Sequence, residues 1–157
     1  MSEVTIRTAT RHDLPRLIPL INQAFAIETF LDGTRTDEER LSATMDRGDV
    51  LVAEREGRAL ACVYVELRGE RAYFGMLAVD PAQQGKGLGK LMTAAAEQYG
   101  RKHSCKRMEM RALNLRTELL PFYRSLGYSE TGTEEFHPPR RLIGEVAFHC
   151  ILMSKPL

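Results

Sequence analysis

The spacing of apolar positions changes several times along the chain, and each change marks an element. Val4 and Ile6 alternate with polar neighbours, the period of a short strand with one buried face. Leu14, Leu17, Ile18, Ile21 and Phe25 then recur at helical spacing behind Asp13. That predicts a helix whose free N–H groups Asp13 caps, with Pro15 tolerated in a first turn that has no intrahelical donors to lose. Glu28 to Thr36, containing Asp32-Gly33-Thr34, reads as a loop, and a more polar helix follows through Asp37, Glu38, Leu41 and Met45. Val50 to Ala53, Ala61 to Leu67 and Ala72 to Val79 are separated by Glu56-Gly57-Arg58 and Gly69-Glu70, which predicts three strands in an antiparallel meander. Leu88, Leu91, Met92, Ala95, Ala96 and Tyr99 form the clearest amphipathic helix, ending near Gly100. Arg107 to Arg111 alternates as a strand; Leu119, Leu120, Tyr123 and Leu126 predict a helix closed by Gly127; Tyr128 to Thr131 and Val146 to Met153 read as final strands. This order of elements predicts a mixed α/β fold.

Composition narrows the class. The 157 residues have the usual size of a single domain, 1–157, and should bury roughly 68–70% of the surface the unfolded chain exposes. Hydrophobic residues at 43% and charged residues at 27% argue against a disordered or fibrous chain. Lys and Arg number 22 against 21 Asp and Glu, so no net field gathers polyanions; with no Trp and scattered Phe and Tyr, a nucleic-acid partner is not expected. No apolar stretch approaches the ~20 residues of a membrane span, so no membrane partner is expected. Cys62, Cys105 and Cys150 lie far apart and form no CxxC pair, which reads as reduced thiols in a cytoplasmic protein.

One stretch carries candidate chemistry: Met76-Leu77-Ala78-Val79-Asp80-Pro81-Ala82-Gln83-Gln84-Gly85-Lys86-Gly87-Leu88-Gly89-Lys90-Leu91. A strand ends, and three glycines lead into the strong helix. Each glycine weakens a helix by roughly 1 kcal/mol relative to Ala, so the cluster needs a reason. Bare backbone N–H groups can surround an anion there, the helix dipole favours its charge, and Lys86 and Lys90 add cations. A P-loop fails because Gln84 and Leu91 stand where it needs Gly and Ser or Thr. A dinucleotide GxGxxG fails at Lys90 or at Met92, according to which glycine begins it.

What remains, Gln84-x-x-Gly87-x-Gly89, resembles motif A of the GNAT superfamily, the acyl-CoA-dependent N-acyltransferases. Leu77-Ala78-Val79-Asp80-Pro81 is similar to the family's preceding strand and turn, and Phe122-Tyr123-Arg124-Ser125-Leu126-Gly127-Tyr128 to its motif B, F-Y-x-x-x-G-F/Y. Ile6-Arg7-x-Ala9-x-x-x-Asp13-Leu14 resembles the usual opening strand and helix. The resemblance implies the GNAT fold, a mostly antiparallel sheet of about six or seven strands flanked by about four helices. It implies acetyl-CoA as co-substrate, with no metal. Amides of Gly85, Lys86, Gly87, Leu88, Gly89 and Lys90, beside Gln84, would hold the diphosphate. Main-chain groups of Leu77 and Val79, flanking Ala78, would take the pantetheine arm as an added strand, with Phe122 and Asn114 alongside. The thioester carbonyl would point to the backbone near Leu77, an oxyanion contact.

Tyr123 fills the family's position for the general acid that protonates the departing thiolate; a phenol pKa near 10 and a thiol pKa near 8.5 suit that transfer. The family commonly has Asn seven residues before this Tyr; Asn114 stands nine before it. Where many members carry a basic Glu on the motif A strand, this chain has Tyr73, which leaves Glu28, Glu66, Glu109 or water to deprotonate the amine. Each carboxylate by itself reads as a solvated surface group. His12, His103, His137 and His149 form no metal motif; His149 reads as structural, and His137 could line the substrate mouth. The cysteines read as inert core residues, so direct attack by the amine is expected.

The acceptor wall should come from the loop-like stretches Thr29 to Thr36 and Gly132 to Gly144. A small amine or amino-acid-like metabolite is expected ahead of a protein lysine or N-terminus, and the resemblance leaves a homodimer open. The reading from another class is a non-catalytic acyl-CoA sensor or interaction module, which would need the glycine turn but no Tyr at position 123.

Overall fold

A computed structural model describes residues 3–136, 140, 143, 144 and 148–157. The predicted elements form in the predicted order: β1 (Thr5–Thr8), a 3-10 turn (Arg11–Asp13), α1 (Leu14–Ala24), α2 (Glu38–Met45), β2 (Asp49–Arg55), β3 (Arg58–Arg68) and β4 (Arg71–Val79). A second 3-10 turn (Pro81–Gln83) leads to α3 (Leu88–Lys102), then β5 (Arg107–Leu113), α4 (Leu119–Ser125), β6 (Ser129–Glu135) and β7 (His149–Pro156). The seven strands form one mixed sheet in the order β1-β2-β3-β4-β5-β7-β6, antiparallel throughout except between β4 and β5.

Helices cover both faces of the sheet, which is why β2 and β3 read as continuous apolar runs rather than strict alternations. On one face, Leu17 and Ile21 of α1 and Leu41 of α2 pack with Val50, Val52 and Tyr64. On the other, Met92 and Ala96 of α3 and Tyr123 of α4 pack with Leu51, Val63, Phe74, Met108 and Met110.

Three expectations are corrected. Asp13 does not cap α1: its carboxylate accepts from the Thr10 N–H at 2.8 Å and pairs with Arg7 and Arg16, tying β1 to the first helix. Gly132 to Glu135 are not loop but the end of β6, paired with β7 as far as His149. The last strand runs beyond Met153 to Pro156 because its polar residues find partners: Ser154 Oγ accepts from Arg107 at 2.6 Å and Lys155 donates to Glu97 at 3.0 Å. Residues 145–147, where that strand was expected to begin, lie outside the described residues.

The feature that positions the site is a break in β4. Cys62 pairs with Ala78 and Tyr64 with Gly75, so Met76 and Leu77 together oppose Val63, a β-bulge. Met76 takes the left-handed conformation there, with φ +51°, a strained backbone for a side chain of its type. The parallel pairing of β4 with β5 covers only Arg71–Tyr73 against Arg107–Glu109, although β5 stays paired with β7 through Leu113. Past Tyr73 the two central strands part, and a gap opens in the middle of the sheet.

Candidate active site

The turn after β4 is built for positive φ. Asp80 starts it, accepting from the Ala82 N–H at 2.9 Å and donating its own N–H to Leu60 O at 2.9 Å. Gly85 (φ +80°) and Gly87 (φ +81°) then turn the chain into α3, and a Cβ at either would meet no protein atom within 4 Å. Their role is to let the backbone coil left-handed at low cost, with open space in front of it. No side chain caps α3, and among the described residues no amide from Gln84 to Lys90 donates to a protein acceptor; the first partnered one is Leu91, to Gly87 O. These donors share one end of a 15-residue helix, where the dipole is positive. Lys86 reaches back to Gln83 Oε1 at 3.3 Å, leaving the mouth of the turn open. Gly89 serves packing instead: a Cβ there would lie 3.4 Å from the Phe122 ring, the point at which α4 closes over α3.

Between the parted strands lies a cavity of about 360 Å³. Tyr73 to Leu77 of β4 and Met110 to Leu113 of β5 form two walls, and Phe122 and Tyr123 of α4 form a third. Tyr123 is 4% exposed and packs against Phe74, Phe122 and Tyr128, with ring centroids 5.8, 5.0 and 6.0 Å away. Its hydroxyl has no hydrogen bond among the described residues, and no sealed side-chain polar atom lacks a partner, so the hydroxyl opens onto the cavity. Burial pushes the Tyr123 phenol well above its ordinary value, against a lowering pull from Arg116. It is a proton donor at any physiological pH.

The far wall comes from Glu28, Leu31 and Arg35 on one side and Glu134, Glu135, Phe136 and Arg140 on the other, and its charges differ from expectation. Glu28 is not a solvated carboxylate. It is 6% exposed, with Arg116 at 3.0 Å from Oε2 and Arg140 at 2.8 Å from Oε1. Glu66 and Glu109 do not line the cavity: Glu66 accepts from Tyr64 at 2.6 Å and pairs with Arg68, and Glu109 pairs with Arg71. Arg35, Arg111 and Arg116 also line the cavity, and nothing in the local pattern around them set them apart from surface arginines.

The structure therefore gathers Leu77, Phe122 and Tyr123 at one cavity. Ala78 is buried beneath it, and Val79 continues β4 towards the glycine turn. Asn114 faces other work: its N–H donates to His149 O at 3.0 Å and its Oδ1 accepts from the His149 N–H at 2.9 Å, clamping the end of β5 to β7. His149 is exposed and serves through its backbone, His12 and His103 are also exposed, and His137 lies outside the described residues. Cys62, Cys105 and Cys150 are buried, and desolvation pushes the Cys62 thiol up to about 12.

Residues 15–128 match the family model described as the acetyltransferase (GNAT) family. The chain belongs to that family. Over 85 residues it is 28% identical to N-acetyltransferase 8B of Homo sapiens, a match covering 54% of this chain and 37% of that protein, so the chain aligns with little over a third of that relative's length. Among solved structures, the ribosomal-protein-S18-alanine N-acetyltransferase from Escherichia coli superposes with a TM-score of 0.79 at 19% identity, covering 98% of this chain and 94% of that one. The structure of yncA from Salmonella typhimurium, which holds its cofactor acetyl-CoA, gives a TM-score of 0.76 at 21% identity, with coverage of 98% and 93%. The seven-stranded mixed sheet with its four helices is thus the fold of a GNAT family member. Among the described residues, no helix is long and apolar enough to cross a membrane.

Proposed function

We propose that this GNAT member transfers the acetyl group of acetyl-CoA to a primary amine by direct attack, with Tyr123 as general acid. The observation that carries the reading is the opened gap beyond Tyr73: β4 backbone with no strand on its β5 side runs from the cavity at Leu77 to the donor-rich turn at Gln84–Lys90. In this reading the turn amides hold the diphosphate, and the pantetheine arm pairs with Leu77 and Val79 in the place β5 has vacated. Phe122 packs beside the arm, and Ala78 anchors the strand from below. Asn114 would act on the arm only indirectly, by holding the rim of β5 in place.

The amine nitrogen attacks the thioester carbonyl, whose oxygen gathers negative charge against the β4 backbone near Leu77. As the C–S bond breaks, Tyr123 gives its proton to the sulfur, and the amine's surplus proton leaves through cavity water that also restores the phenol. Desolvation raises a thiol as well as a phenol, so in a shared cavity the two shift in the same direction. Glu28 is ill suited as the base because each of its oxygens already holds an arginine. A small-molecule amine is the acceptor in this reading, because about 360 Å³ lies at the lower end of the range for small-ligand sites.

The test combines a panel of amines with acetyl-CoA, following thiol release, and the Tyr123→Phe variant. Turnover should fall about 100-fold or more in the variant while acetyl-CoA affinity stays within twofold. Binding without turnover of any amine would make the protein a sensor. Equal turnover in both forms would remove Tyr123 from the mechanism.

A further inference from the structure

Among the described residues, four arginines (Arg35, Arg111, Arg116, Arg140) and three glutamates (Glu28, Glu134, Glu135) line the acceptor side of the cavity. Each oxygen of Glu28 has its own arginine, Arg116 or Arg140, and Arg111 lies 3.2 Å from Glu134. Arg35 lines the same cavity and has neither kind of partner: among the described residues, no carboxylate stands within ion-pair distance of it and no acceptor within hydrogen-bond distance. Its guanidinium sits over the Phe25 ring at 5.1 Å, which fixes the group without using its N–H donors. Among the described residues no sealed side-chain nitrogen lacks a partner, so those donors are open to solvent beside the cavity that Arg35 lines. Burial pushes Arg35 down, Glu28 pulls it up, and the like charge of Arg140 pushes it down again. It remains a cation even so. A half-buried cation with unused donors on a cavity wall is a ready partner for an anion.

The coenzyme's diphosphate is not that anion, since no residue from Gln84 to Lys90 lines this cavity. We infer that Arg35 anchors a carboxylate on the acceptor, so that the amine to be acetylated belongs to an amino-acid-like zwitterion. The planar guanidinium fork matches a carboxylate in two parallel hydrogen bonds. Phe25, Leu31, Met76 and Phe136 offer apolar wall for the side chain. The same surplus of positive charge disfavours polyamines. This inference rests on the acetyl-transfer reading and adds the acceptor class to it.

The experiment compares acid and carboxamide pairs, namely leucine with leucinamide, methionine with methioninamide and phenylalanine with phenylalaninamide, on the wild type and Arg35→Gln. Carboxamides give up their ammonium proton more easily, so chemistry alone favours them and any preference for the acid reports binding. The wild type should favour at least one acid by about tenfold or more in kcat/KM. Arg35→Gln should erase that preference, mainly through a higher KM for the acid, without weakening use of the amide; Arg35→Lys should restore part of it. Amides used as well as acids by the wild type, as a peptide N-terminus would be, or equal losses on both in the variant, would overturn the inference. Melting of CoA-saturated protein gives a readout without turnover: an acid should raise the transition of the wild type and not of Arg35→Gln. If no amine is acetylated, the transfer reading falls and this binding arm alone judges Arg35. If no acid shifts the wild type, the carboxylate anchor falls.

Discussion

Gly87→Ala separates what the glycine turn does for the fold from what it does for the ligand. Gly87 precedes α3 at φ +81° and ψ 9°, and an added Cβ would meet no protein atom within 4 Å. The fold therefore loses only the cost of holding a side-chain-bearing residue left-handed, about 1–2 kcal/mol. For a chain of this length that lowers the melting temperature by roughly 2–8 °C. Gly57, in the turn between β2 and β3, has φ +75° and equally open surroundings, so Gly57→Ala should cost the same. The two variants part at the ligand. At position 87 either the backbone holds and the methyl intrudes where the diphosphate approaches, or φ relaxes and the amides swing away. Losing one or two amide contacts to a charged group, each about 1.5–3 kcal/mol, weakens binding by about tenfold to more than a hundredfold. Calorimetric titration with acetyl-CoA, beside melting curves with and without it, reads both effects. Gly57→Ala should melt early and bind normally; Gly87→Ala should melt early and bind poorly. If Gly87→Ala binds acetyl-CoA as tightly as the wild type while its melting point falls like that of Gly57→Ala, the turn is a structural corner and not an anion site.

Two further outcomes follow from the buried charges. The Arg7 guanidinium, above all, holds the Asp13 carboxyl well below the usual carboxylate range, helped by Thr10 and Arg16 and opposed by burial. A depressed folded-state pKa means the unfolded chain takes up the proton first as pH falls; Asp13 thus stabilises fully above about pH 4 and less below it. Arg7 and Arg16 are about two-fifths exposed, so Asp13→Asn should cost about 1–3 kcal/mol at neutral pH rather than the full penalty of a sealed pair. Denaturant titrations should find that difference constant from about pH 7 to 5 and shrinking below about pH 4; a difference as large at about pH 2 as at neutral pH refutes the assignment. Glu28→Gln takes the shared carboxylate from Arg140 and leaves Arg116 with Glu118 alone, and should cost up to about 3 kcal/mol in chemical denaturation. Any remaining activity should keep the wild-type pH profile, whereas loss of its basic limb would make Glu28 the base.

Local chemistry was legible in the sequence, and long-range electrostatics was not. Gly85 and Gly87 stood out because few contexts require successive positive-φ residues at a helix start, and the structure gives both that conformation. Tyr123 stood out by its place in Phe122-Tyr123 to Gly127-Tyr128. The bulge that opens the sheet left no such mark, because its left-handed residue is Met76, where neither Gly nor Asn would flag it. The burial of Glu28 depends on Arg116 and Arg140, 88 and 112 residues away along the chain, so no window of sequence could distinguish it from a surface glutamate.

Arg35 makes the same point from the other side. It follows Asp32-Gly33-Thr34 in a stretch whose composition reads as solvated loop, and a solvated arginine needs no partner. Only the fold reveals that this loop borders a cavity where, of three lining glutamates, Glu28 and Glu134 already serve other arginines. In the proposed reading β4, the glycine turn and α4 serve the coenzyme, other segments serve the acceptor, and the two meet at the gap between β4 and β5. Among the described residues the acceptor side brings more guanidinium than carboxylate to the place where an amine would arrive. A bare ammonium approaching that wall would be repelled; an ammonium carried beside a carboxylate would be received by the charge that repels the other.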